Sequence, residues 1–291
     1  MTERRPGLGL AVLCAATMTA FAANSLLNRL ALVEGETGPA AFAALRLAAG
    51  AAILCALVLC GPNGMTRVRS GLRVGHAAAL AAYMVGFSFA YVTLDAGLGA
   101  LILFGTVQIT MFAGGVVAGD TISARRWLGA GLAMAGLAGL LWPAGSAAPP
   151  FAGAALMTAA GIGWGIFSLK GRGGRDPLGT MAGSFLLALP AGLLALTAVG
   201  GDGLGIRGAL LAVVSGAVTS GLGYALWYRV LPQIASSTAA VLQLSVPVIA
   251  MAGGAALLGE AVGLRAAVAA VVVLAGIALA VTAPSAPARR G

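Results

Sequence analysis

Residues 97–118 read GLGALILFGTVQITMFAGGVVA, 22 positions without one charged side chain. A helix rises 1.5 Å per residue, so about 20 apolar residues cross a hydrocarbon core of about 30 Å. The run is continuous rather than alternating, which reads as a spanning helix and not as a strand of a closed barrel. Working outward, nine more stretches of this kind cover 8–32, 39–60, 74–94, 127–145, 150–169, 178–199, 208–229, 234–257 and 264–283. The connections are short and leave no room for a soluble domain. Composition agrees: 60% of the residues are hydrophobic and 9% charged, against about 25% charged in ordinary globular chains. The sequence therefore predicts an all-α polytopic membrane protein with ten transmembrane helices.

The net charge of +9 does not indicate nucleic acid, because the basic residues stand singly or in small clusters between apolar runs. Their placement tests the span count instead. Ten crossings put both termini on one side, and that side collects 13 of the 17 basic residues, among them Arg67, Arg69, Arg125, Arg126, Lys170 and Arg229 together with the terminal arginines. The opposite connections hold Arg207 and Arg265 beside Glu34, Glu36, Asp95, Asp202 and Glu260. By the positive-inside rule both termini are cytoplasmic. Glu3-Arg4-Arg5 followed by apolar residues resembles a signal peptide, but the run from Leu8 to Leu27 is long enough to span and is read as the first helix. Cys14, Cys55 and Cys60 lie in apolar runs and read as small buried hydrophobes. No metal-ligand spacing, P-loop or nucleophile–base pair is present, so no metal, cofactor or enzymatic chemistry is expected.

The halves repeat one another. Ala113-Gly114-Gly115 matches Ala252-Gly253-Gly254, and Gly119-Asp120 matches Gly259-Glu260. Tyr91-Val92-Thr93-Leu94-Asp95 sits where Tyr228-Arg229-Val230-Leu231-Pro232 sits in the second half. Five helices per copy is an odd number, so residues 1–147 and 148–291 are expected to run in opposite directions. Inverted repeats of this kind give two related packings around a midplane site.

A lipid-facing surface needs only apolar residues, so polar and amphipathic side chains inside spans point into the bundle. The third span carries Tyr83, Phe87 and Tyr91 on one face, and the eighth carries Ser220, Tyr224 and Tyr228 with Trp227 beside them. Under the repeat alignment Phe87 pairs with Tyr224 and Tyr91 with Tyr228. Such aromatic stripes can line a pathway for amphipathic solutes, while Tyr91 and Tyr228, near span ends, read as interfacial belt residues. Asn24 and Asn28 share a face of the first span; Trp164 and Ser168 stand in the sixth; Gln108 and Gln243 stand in the fourth and ninth. All are candidates to contact solute. Pro247 removes one backbone hydrogen bond and is expected to kink the ninth span. Arg46 is the one charge well inside a span, about 10 Å from its external end. Its preferred reading is structural, bonded to Asn24, Asn28 or helix-end carbonyls; the alternative is contact with a substrate carboxylate. No Asp or Glu lies near a span centre, and the single histidine, His76, stands near the start of the third span. Proton coupling through an intramembrane carboxylate is therefore disfavoured.

The stretch from Tyr224-Ala-Leu-Trp-Tyr-Arg-Val-Leu-Pro232 through Ala239-Ala-Val-Leu-Gln-Leu-Ser-Val-Pro247 to Leu258-Gly-Glu260 resembles the EamA repeat of the drug/metabolite transporter superfamily. Ala44-Leu45-Arg46-Leu47 and Gly119-Asp120 resemble its first copy, with Gln108 where proline is commoner and Asp120 where glutamate is commoner. The seventh span has Ser184 or a neighbour where Arg46 would have its counterpart. The resemblance implies a ten-helix transporter of the bacterial cytoplasmic (inner) membrane. It further implies a central cavity lined by spans 1, 3, 4, 6, 8 and 9, and export; among characterised types it is most similar to the YddG-like amino-acid exporters. The resulting expectation is a monomeric, lipid-embedded exporter of amino acids, including aromatic and apolar ones, facilitative and working by alternating access. Export of drugs, nucleosides or other small metabolites is the alternative; a lipid-modifying membrane enzyme and a non-transporting helper subunit are more distant ones.

Overall fold

Glycine and proline set the helix ends. The computed structural model describes residues 8–33, 35–119, 123–142, 149–171, 175–199, 203–234 and 242–282. The terminal arginines, with Glu34, Asp120, Arg172, Asp202 and the expected 147/148 boundary between repeats, lie outside the described residues. The first helix, α1 (Leu8–Leu32), is continuous. Pro39 opens α2 (Pro39–Leu59) after an extended Gly38, a position where its missing N–H costs nothing. A short α3 (Gly64–Gly71) is bent by 75° from α4 (Val74–Ala90). Then come α5 (Ala96–Val117), α6 (Ala124–Leu141), α7 (Phe151–Gly171) and α8 (Pro177–Val199). The next helix is composite: α9 (Ile206–Val213), a π-helical segment (Val214–Leu222), α10 (Gly223–Val230) and a 3-10 turn (Leu231–Gln233). The chain closes with α11 (Ser245–Leu258) and α12 (Leu264–Val281). Among the described residues there is no named strand, only an isolated antiparallel bridge between Thr37 and Leu204.

Six of these helices (α1, α2, α5, α7, α8 and the composite Ile206–Gln233) are long and apolar enough to cross a membrane, and the bent pair α3–α4 makes a seventh if it is one span. The protein is thus a multi-pass helical membrane protein. Three helices fall short of that test. Arg125 and Arg126 lower the apolarity of α6, and α11 and α12 are shorter apolar helices.

Two of the repeated motifs have a clear local cause. Gly119 and Gly259 both adopt a left-handed conformation, φ 82° and 66°, directly after α5 and α11. A glycine there lets the chain turn back and satisfy the last carbonyls; the Glu260 N–H donates to the Gly254 carbonyl at 3.1 Å. At the start of α11 the ladder is interrupted at Leu244, because Pro247 has no N–H to offer Gln243.

Packing runs mainly between the two sequence halves. Helix α6 lies along α12, α4 along α7, and α2 along α8 and the π segment, while α1 packs on the π segment, α10 and α11. Lipid supplies no hydrophobic force to press helices together, so close backbone approach must do it. A Cβ on Gly129 of α6 would lie 2.5 Å from the Gly276 carbonyl of α12, and one on Gly276 only 2.6 Å from the Ala133 nitrogen. The interior is filled by large side chains, with Arg46, Tyr91, Phe42, Phe87 and Phe185 fully buried. Tyr91 is therefore not a belt residue. The chain turns at the end of α4 and folds the ring inward, edge-on to Phe87 at 4.7 Å, with its hydroxyl donating to the Ala96 carbonyl at 3.3 Å. Tyr228 is half-buried and packs against the core.

Candidate functional site

Where α1, α4, α5, α7 and α10 converge they leave a small central cavity. Its walls are Phe21, Asn24 and Ser25 of α1, Tyr83 and Phe87 of α4, Leu103 and Phe104 of α5, Trp164 of α7 and Tyr224 of α10. The free space is about 10 Å³, close to what one water needs. The rings hold one another. Trp164 stacks on Tyr224 with centroids 5.0 Å apart and on Phe167 at 5.5 Å, and it leans on Tyr83 at 5.0 Å. Phe21 meets Tyr224 edge-on at 5.6 Å. Contacts of this geometry contribute about 0.5–1.5 kcal/mol each beyond the area they bury.

Behind this wall lies a polar network. Arg46 donates from Nε and Nη2 to Ser220 Oγ at 3.3 and 3.2 Å, and from Nη2 to the Tyr83 phenol oxygen at 3.3 Å. The Tyr83 and Tyr224 hydroxyls are 3.4 Å apart. Because Tyr83 accepts from Arg46, its own proton is free to point at Tyr224. Ser220 in turn donates to Asn24 Oδ1 at 3.1 Å, and Ser215 and Thr219 donate to the same oxygen at 3.0 and 2.6 Å. The guanidinium carbon sits 4.8 Å from the Phe87 ring centroid and 5.6 Å from that of Tyr83, so both rings meet the cation.

The π segment makes this convergence possible. In an α-helix, residues 215, 219 and 220 are spread around more of the circumference. The wider turn of a π-helix brings i, i+4 and i+5 onto one face, and π segments are frequent at functional sites. Gly216 lets α2 approach it: a Cβ there would strike the Arg46 carbonyl and reach within 2.9 Å of Ala49.

Of the residues singled out from sequence, Asn24, Tyr83, Phe87, Trp164 and Tyr224 line the cavity. Asn28 lies outside the lining, donating to Ser88 Oγ at 3.0 Å. Trp227 packs edge-on to Phe21 at 5.8 Å, one layer back. Ser168 returns its proton to the Trp164 carbonyl at 2.8 Å within its own helix. Gln108 and Gln243 are half-buried and away from the lining. Arg46 bonds neither asparagine amide directly; the Ser220 hydroxyl stands between it and Asn24. Sequence reasoning missed Phe21, Ser25, Leu103, Phe104, Ser215 and Thr219. Phe21 and Ser25 share the face of Asn24 and Asn28, a signal that was available. Leu103 and Phe104 sit in an apolar run where nothing marks one residue over another.

Among the described residues two ion-pair clusters lie toward the ends of the helices. Arg29 of α1 pairs with Asp95 at 3.7 Å and Glu260 at 3.4 Å, and donates to the Tyr91 and Val92 carbonyls. Glu260 also accepts the Ala96 N–H at 2.9 and 3.0 Å, capping the N-terminus of α5 from the far half of the chain. Burial raises the Glu260 carboxyl above its usual range, more than these partners lower it. At the second cluster Arg67 of α3 grips Asp176 through two bonds of 2.7 and 2.8 Å, and this hydrogen bonding holds Asp176 below the usual carboxylate range.

A bundle of apolar helices around a small, aromatic-walled cavity is an arrangement compatible with a membrane transporter. Residues 151–282 match the EamA-like transporter family. An uncharacterized protein of Pseudomonas aeruginosa, PA1977, is 48% identical over 266 residues, covering 90% of this chain and 91% of that one. A crystal structure of a protein only 20% identical superposes with a TM-score of 0.64 over 91% of this chain and 97% of its own, which establishes the likeness of fold. Over residues 151–282 the chain thus matches the EamA-like transporter family, which supports a place in the drug/metabolite transporter superfamily.

Proposed function

We propose that the protein exports amino acids, aromatic and apolar ones included, across the bacterial cytoplasmic membrane. It would do so as a monomer, by alternating access between two inverted five-helix halves, 1–147 and 148–291. The observation that carries this reading is the cavity itself. Its walls are contributed by both halves, its rings suit an apolar body, its polar groups are hydroxyls and an amide, and the Arg46 guanidinium lies behind the Tyr83 and Phe87 rings.

The ten-span topology is supported by which ends touch. Arg67 with Asp176, and Arg125 with Thr282 at 3.2 Å, join connections that ten crossings place on the cytoplasmic side. Arg29 with Glu260, Arg265 with the Gly139 and Trp142 carbonyls, and the Thr37–Leu204 bridge join connections placed on the external side. The inverted repeat is supported by the packing pattern. Exchanging each helix for its counterpart in the other half turns the α4–α7 contact into that of the composite helix with α1, and α5–α7 into α11–α1. It leaves α2–α8, α5–α11 and α6–α12 unchanged.

Flux of a panel of labelled amino acids through purified protein in liposomes tests the function. Selective flux, reduced by Trp164→Ala and Tyr83→Ala, is the expected result. No flux of any amino acid through folded protein points to another metabolite. Strict dependence on a proton gradient defeats the facilitative part.

A further inference from the structure

Arg46 is a fully buried cation with an incomplete set of partners. A guanidinium carries five N–H donors. Here Nε and Nη2 are engaged, but Nη1 is buried and has no hydrogen-bond partner. Among the described residues no carboxylate lies within ion-pair distance of it, and its neighbours are two hydroxyls and two ring faces. A buried charge is normally paired, because neutral dipoles replace only part of the hydration it loses. Arg46 touches Tyr83 and Phe87, which are themselves walls of the cavity. Its uncompensated charge therefore acts on the cavity through a thin, low-dielectric layer, where Coulomb interactions are strong.

The cavity has no matching provision for a cation. Among the described residues no Asp or Glu lines it, and Asn24 Oδ1 already receives three hydroxyl protons. The orphan acceptor Asn28 Oδ1 lies outside the lining. The aromatic rings remain for an ammonium group, but they share the field of Arg46, which repels it.

We propose that Arg46 is the substrate's counter-charge, so that the transported molecule must carry a carboxylate on an apolar or aromatic body, and that its amino group is dispensable. Nη1, buried without a hydrogen-bond partner, is the donor such a carboxylate reaches once the Tyr83 or Phe87 ring between them moves aside. This rests on the reading of the cavity as the substrate site, and it extends the substrate class from amino acids to apolar and aromatic carboxylic acids in general.

Three ligands with one hydrocarbon body separate the requirements: phenylalanine, 3-phenylpropanoate, which lacks the amine, and phenethylamine, which lacks the carboxylate. Binding to the purified protein would be followed by tryptophan fluorescence and by thermal shift, and flux in liposomes. The acid should bind within a few-fold of phenylalanine, and the amine about tenfold or more weaker, as expected for loss of a charge-assisted bond. Arg46→Met should bring the acid down to the level of the amine. Arg46→Lys, which keeps the charge, should preserve the order and serves where Arg46→Met does not fold. Equal binding of acid and amine by the wild type, or an acid preference that survives Arg46→Met, overturns the proposal. If phenylalanine moves independently of Arg46, the proposal falls and the amino-acid reading stands. If only the amine-free acid binds and moves, and does so through Arg46, the amino-acid reading falls and the proposal stands. No binding of any of the three overturns both.

Discussion

At the scale of single residues, the centre of the molecule is governed by one unpaired charge and the amide that stands one hydroxyl away from it. Asn24 Oδ1 organises Ser215, Thr219 and Ser220, and Ser220 passes the interaction on to Arg46. Asn24→Asp replaces that amide with a carboxylate of nearly the same shape. The hydroxyls still have an acceptor, so the fold is expected to survive. Arg46 then gains an internal counter-ion through Ser220, and a substrate carboxylate must compete with it. Binding of a carboxylate ligand is expected to weaken about tenfold, one charge-assisted hydrogen bond's worth, with thermal stability unchanged or higher. A titration beside an unfolding curve checks both. Unchanged affinity would mean that the charge of Arg46 does not reach the site. Arg46 and Asn24 were both legible in the sequence, since a charge or an amide inside an apolar run stands out. Their relation was not. Depth along two helices brought Arg46 near Asn24 and Asn28, but the intervening hydroxyl comes from a helix about 170 residues away whose winding the sequence did not reveal.

At the scale of elements, the π segment decides the site. The pattern Ser215, Gly216, Thr219, Ser220, read with a 3.6-residue period, gives a helix with scattered small polar residues. Only the wider winding gathers the three hydroxyls onto Asn24, and periodicity carries no signal for it over nine residues. Gly216 is its contact point with α2, where a Cβ would meet the Arg46 backbone. Gly216→Val is therefore expected to push α2 off the π segment, with a loss of about 1–3 kcal/mol from overpacking and a larger loss of transport than of folded protein. Gly131 of α6 has nothing within 4 Å of a Cβ, so Gly131→Val is the matched control and should be nearly silent. Size-exclusion profiles and flux on the two variants separate these outcomes. The helix-ending glycines, by contrast, were legible. Gly119 and Gly259 recur with an acid after them because each ends a corresponding helix in a left-handed turn. Tyr91 was misread for the converse reason: position near a helix end resembles an interfacial belt, and only the turn after α4 shows that the ring goes inward.

At the scale of the whole molecule, two ion-pair latches lie at opposite ends of the proposed topology, and their chemistry differs. At the Arg67–Asp176 latch the folded-state pKa of the acid is lowered, so the ionised form is the stabilised one. Its contribution is present above the unfolded value of about 3.9 and is lost as pH falls through the lower folded value. At the Arg29–Glu260 latch the folded-state pKa is raised, with burial as the largest cause. There the ionised acid is held at a cost, and that cost grows as pH rises through the folded value. Two contacts that look alike should thus respond oppositely to removal of the charge. Asp176→Asn is expected to lower stability at neutral pH by about 1 kcal/mol or less, the range for a half-exposed pair, and to flatten the loss seen below pH of about 4. Glu260→Gln keeps an oxygen for the Ala96 N–H and sheds the penalised charge, so it should leave stability at neutral pH unchanged or raise it. Thermal unfolding of the two variants in one detergent, at neutral and acid pH, decides the matter. A larger loss for Glu260→Gln than for Asp176→Asn would overturn the assignment. Under the expected result the Glu260 end is the weaker latch, the one whose release needs less free energy. In the proposed topology that end is the external side, the side to which an exporter has to release its substrate.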